Sequence, residues 1–124
     1  NQQFQQQNLF TQMNEAIKAF TKDLKGNGRF NDVLLMTFSE FGRRVAQNAS
    51  GGTDHGTANN MFLIGGGIKE KGLINPMPDL SDLDEGDLKY KVDFKNVYAT
   101  VLKNWLAADD MAILKKKYDY LKFV

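Results

Sequence analysis

The run Val33-Leu34-Leu35-Met36-Thr37-Phe38 decides how the fold of this chain is read. It is short, continuous and apolar, with no alternation. A strand with one wet face alternates, whereas a strand covered on both faces does not. The run therefore predicts a central parallel strand of an α/β sheet. The sequence before it agrees. Leu9, Met13, Ala16, Ile17, Phe20 and Leu24 recur at helical spacing, with Gln, Glu and Lys opposite. Residues 1–8, almost all Gln and Asn, read as a frayed start or as the polar end of that helix. Gly26 and Gly28 stop it, as C-terminal glycines do. Helix, short turn and buried strand make half of a βαβ unit whose first strand is absent.

Downstream, Ser39 to Asn60 is polar and Gly-rich. Met61-Phe62-Leu63-Ile64 reads as a second buried strand, ended by Gly65-Gly66-Gly67. Residues 72–92 hold both prolines and the acidic residues Asp79, Asp82, Asp84, Glu85 and Asp87. They read as a long, solvated surface loop. Asp93 suits an N-cap. Behind it Phe94, Val97, Tyr98, Val101, Leu102, Trp105 and Leu106 form a helical apolar stripe, read as core. Lys115-Lys116-Lys117 leads into a tail with Tyr118, Tyr120, Leu121 and Phe123, which reads as one more turn or edge segment.

The 124 residues suffice for one domain and one core, with no internal repeat. A net charge of +1 makes no field that would draw in nucleic acid or an anionic membrane. No apolar run approaches the ~20 residues of a membrane span. No signal peptide is visible, and a chain beginning at Asn1 reads as processed, cut or incomplete. Without Cys there is no disulfide, thiolate ligand or Cys nucleophile. With one histidine, any imidazole chemistry is built on His55.

Ligands of open α/β sheets bind at the carboxyl ends of strands. Ser39, Glu40 and Arg43 follow the first strand, and Asp54, His55 and Thr57 lie in the loop entering the second. Glu40, Asp54 and His55 are the candidate ligands for a divalent metal such as Zn or Mn. Arg43 is the candidate partner of an anionic group such as phosphate or sulfate. Plainer readings stand beside these. Glu40 and Arg43 form an ion pair or a helix start, His55 is a hydrogen-bonded loop residue, and Asp54 is a turn residue. Three donors suffice for one ion and not for two.

These residues carry a resemblance. Val33-Leu34-Leu35-Met36-Thr37-Phe38-Ser39-Glu40-Phe41-Gly42-Arg43-Arg44-Val45, Gly51-Gly52-Thr53-Asp54-His55-Gly56-Thr57-Ala58 and Met61-Phe62-Leu63-Ile64-Gly65-Gly66 resemble the end of the bacterial domain of unknown function 1501 family. So do 80–90 and 93–102, which extends the likeness over nearly the whole chain. That family is grouped with the alkaline-phosphatase and sulfatase superfamily. The resemblance implies that residues 1–124 are a single, partial domain. It would be the C-terminal part of a three-layer α/β/α alkaline-phosphatase-like fold with a mainly parallel sheet, its N-terminal part absent. It implies an exported protein, periplasmic or at the cell surface, whose activity is unassigned.

Where the superfamily carries Ser/Ala-Asp-His-Gly, this chain has Ser39-Glu40-Phe41-Gly42, and a phenyl ring has no ligand atom. His55 matches the superfamily's last metal ligand. Laying Asp54-His55-Gly56 on the Asp-His-Gly motif is a second alignment. The nucleophile and a first Asp ligand would lie upstream. The implied function is a fragment of a metal-dependent hydrolase of small phosphate or sulfate esters, inactive alone. The alternative is a non-catalytic scaffold of the same superfamily. Two helices and two buried strands would leave apolar sheet surface bare, so either the missing part or self-association is expected to cover it.

Overall fold

The computed structural model describes residues 2–124. Helix α1 runs from Gln2 to Gly26, 25 residues, so the apolar spacing and the glycine stop are both realised. Gly28 takes a left-handed φ of 67°, and the Arg29 amide closes the helix end on the Leu24 carbonyl at 2.8 Å. No residue of α1 is buried. Leu9 is 64% and Phe20 45% exposed, so the apolar stripe exists but stays largely uncovered, with only Ile17 and Leu24 half-buried.

After a 3-10 turn at Phe30–Asp32, β1 spans Leu34–Met36, β2 Gly42–Gln47, β3 Thr53–Gly56 and β4 Leu63–Gly65. A small hairpin follows, β5 at Leu83–Asp84 and β6 at Asp87–Leu88. The strands form three separate two-stranded sheets, β1 with β4, β2 with β3 and β5 with β6, each antiparallel. This corrects the expected three-layer α/β/α architecture with a mainly parallel sheet, because no parallel sheet is present among the described residues. Leu35 of β1 lies opposite Ile64 of β4, and all three β1 residues are only half-buried. A parallel return needs a crossover, usually a helix. Here the segment between β1 and β4 folds on itself as the β2–β3 ribbon, and the chain comes back antiparallel.

The core lies at the C-terminal end. Helix α2, Phe94–Thr100, starts at Asp93, whose carboxylate accepts from the Lys95 amide at 2.9 Å. It continues as a π-helical turn over Val101–Trp105. Helix α3, Asp110–Leu114, is capped by Asp109. Val97, Phe123 and Val124 form the buried cluster, with Leu34, Met36, Leu63, Val101 and Trp105 packed around it. The tail is therefore a core element and not an edge. The Leu121 amide donates to Thr100 Oγ1 at 2.8 Å, and the Lys69 amide to the Phe123 carbonyl at 2.8 Å.

The accessible surface is 9400 Å² for a 14.0 kDa chain. A compact monomer of that mass exposes about 6,700 Å². Among the described residues no helix is long and apolar enough to cross a membrane.

Candidate anion-binding site

The ribbon β2–β3 carries most of the residues singled out in the sequence. Gly42 pairs with Gly56 and Arg43 with His55. The pairing then slips, so that Gln47 meets Thr53 across a bulge. Residues directly opposite in an antiparallel pair share a face, and neighbours along a strand alternate. Arg43 and His55 therefore stand together. Asp54, the neighbour of His55, leaves the strand on the other side.

Phe41 joins the Arg43 and His55 side. Its ring stacks on the His55 imidazole, centroids 3.6 Å apart and planes 16° from parallel. The Arg43 guanidinium lies 5.4 Å from the Phe41 centroid. One Arg43 nitrogen donates to the Thr53 carbonyl at 3.0 Å. The remaining donors of Arg43 make no hydrogen bond or ion pair among the described residues, and neither do the His55 ring nitrogens. An arginine fork and an imidazole edge, both exposed, face outward together.

The other side of the ribbon is saturated with carboxylate. Arg44 grips Asp87 through two hydrogen bonds of 3.2 Å, and the Asp87 side chain is only 17% exposed. The hydrogen bond and then the charge of Asp87 raise the Arg44 pKa above its ordinary value, with smaller contributions from Asp54 and Glu85. Asp87 reaches Arg44 because the hairpin turn Glu85-Gly86 takes φ of 50° and 91°, the left-handed pair a two-residue turn needs. Thr57 ties the same hairpin down by donating to the Leu88 carbonyl at 3.2 Å. The acidic segment is thus partly structural, not merely a solvated loop. Asp54 accepts from the Asn48 side-chain Nδ2 at 2.9 Å, while the Asn48 side-chain Oδ1 accepts from the Ser50 and Gly52 backbone amides at 3.0 Å.

Residues from both sides line an open groove of about 550 Å³. Arg43, Arg44, Asn48, Thr53, Asp54 and His55 line it. The chain belongs to the DUF1501 family. The family model, described as a protein of unknown function, matches residues 1–118. No curated protein and no solved structure matches the chain.

Against the expectations for this family member, the structure brings Arg43, Asp54 and His55 to one groove and leaves Glu40 outside its lining. Glu40 is exposed and makes no ion pair with Arg43. His55 is a strand residue stacked on Phe41, not a hydrogen-bonded loop residue. As for a metal, the donors do not converge in this arrangement. No group of three His, Cys, Asp or Glu able to hold an ion occurs among the described residues. Arg44, Asn48 and Thr53 complete the groove lining and Asp87 holds Arg44 from outside it, and none of the four was singled out as a site residue in the sequence. The Glu85-Gly86 turn was the available signal for Asp87, since it returns the acidic segment as a hairpin.

Proposed function

We propose that this chain supplies the anion-recognising part of a larger hydrolase of small phosphate or sulfate esters. The observation that carries the reading is the pairing of Arg43 with His55 across the ribbon, with free donors on both side chains. A guanidinium fork matches the oxygens of a tetrahedral oxyanion, and an imidazole edge adds a further donor. In the complete protein these groups hold and orient the ester, while the nucleophile comes from elsewhere. Any ion bound through His55 would need donors from beyond the described residues. The excess of surface, roughly 2,700 Å² over a compact monomer, supports a part that is covered by further protein.

A second reading, non-catalytic anion binding on the same scaffold, draws on the Phe41 ring against His55. That stack holds the imidazole in place with no ligand atom beside it.

Titration with inorganic phosphate and sulfate, followed by side-chain chemical shifts, tests anion binding. Binding at the groove is expected to weaken about tenfold in Arg43→Ala, the effect of one lost charge-assisted contact, and to fall also in His55→Ala. Unaltered shifts at Arg43 and His55 throughout the titration would remove the proposal. Ester turnover by a longer family chain, lost in Arg43→Ala, would favour the hydrolase over the scaffold.

A further inference from the structure

We infer that the groove selects a singly charged tetrahedral ester, either a sulfate monoester or a phosphate diester, over the doubly charged phosphate monoester. The inference rests on the anion-site reading above and narrows its substrate class. It follows from how the charges around the groove are already committed. Two guanidiniums line it, Arg43 and Arg44. Arg44 is taken, because both of its hydrogen bonds go to Asp87. Asp54 and Glu85 act on Arg44 as well. Arg43 gives one nitrogen to a neutral carbonyl and keeps its charge for a ligand.

A ligand at Arg43 and His55 therefore meets one uncommitted guanidinium, with Asp54 lining the same groove from the other side of the ribbon. The Asp54 side chain accepts its hydrogen bond from the neutral side-chain amide of Asn48 and not from a cation. One negative charge is matched by Arg43. A second finds no further uncommitted guanidinium in the lining, while Asp54 adds negative charge across the groove and Asp87 and Glu85 add it beside Arg44. Each added charge beside an uncompensated carboxylate in a solvated groove costs a few-fold in affinity. Near pH 8 a phosphate monoester carries nearly two charges, because its second proton leaves near pH 6. Sulfate monoesters and phosphate diesters carry one.

The isotope-labelled chain, titrated at pH 8 with methyl sulfate, dimethyl phosphate and methyl phosphate, tests this. Methyl sulfate and dimethyl phosphate are expected to bind alike, and about threefold or more tighter than methyl phosphate. Asp54→Asn should narrow or invert that ratio. Glu85→Gln, which leaves the Arg44–Asp87 pair in place, should shift it the same way by less. Methyl phosphate binding tightest in the parent chain would overturn the inference, as would a ratio unmoved by both substitutions. Tight methyl sulfate with weak dimethyl phosphate would also overturn it, since shape and not charge would then select. If inorganic phosphate and sulfate bind but the methyl esters do not, the inference falls and the anion site stands. If no anion binds, both fall.

Discussion

Gly42 and Gly56 face each other at the end of the ribbon, and each is there for want of room. A Cβ on Gly42 would overlap the Ala58 carbonyl oxygen, and one on Gly56 would sit 2.8 Å from the Arg43 carbonyl carbon. The Ala58 backbone is fixed close against β2, and Arg43 and His55 are the next pair along. Gly42→Ala is expected to destabilise the chain by about 1–3 kcal/mol, as overpacking does, read from the midpoint of urea unfolding. It should also disturb the shifts of the Phe41–His55 stack. At this scale much of the candidate site was legible. Arg43, Asp54 and His55 stand out because few other residues in the segment can do chemistry, although Glu40, picked on the same ground, is not in the groove lining. Their partners were not legible, because Phe41 on His55 and Asp87 on Arg44 are set by strand pairing and a hairpin 43 residues away. Arg43 and Arg44 look alike in the sequence, yet one is free and the other committed.

Elements divide by whether they have something to pack against. Helix α1 was legible from Leu9 to its glycine stop, since spacing and terminal glycines are local signals, while its first turns, among residues left open between a frayed start and a helix end, were not. The α2 stripe was legible too, and Val97, Val101 and Trp105 do enter the core. Phe94 and Leu106, from the same stripe, remain exposed. The tail was underread. Phe123 has no accessible surface, although nothing local in residues 115–124 marks it as core. Phe123→Ala is therefore expected to cost about 3–5 kcal/mol. Leu9→Ala in α1 should change stability by less than about 0.5 kcal/mol, because its side chain is already in water. Parallel urea denaturation of the two variants checks the contrast. Equal losses would mean that α1 is packed in solution. Strand pairing was misjudged for a physical reason. An apolar run without alternation reports that a strand avoids water, and does not report the direction of its neighbour. Here β1 and β4 meet antiparallel because no helix carries the chain across between them.

The whole molecule has more surface than its mass warrants, and its buried cluster is small. Its elements therefore differ in how firmly they are held. Amides of α2 and of the tail around Leu121 and Phe123 are expected to exchange with solvent hydrogen more slowly than those of α1. The difference should reach at least tenfold, since helices without tertiary contacts open locally at little cost. Uniform protection across both regions would show that α1 is covered, by another chain or by rearrangement. The sequence by itself determined what depends on near neighbours. That comprises the two main helices with their ends, the positions of the apolar runs, the short menu of residues able to bind an anion, and the family. Only the tertiary structure decided what depends on distant chain meeting distant chain. It set the antiparallel pairing of β1 with β4 and the ribbon that stands Arg43 beside His55. It also closed Asp87 on Arg44 and put the last two residues into the core. Local signals survive in a sequence because each residue carries them alone. Register, charge pairing and core membership do not, because they are properties of contacts.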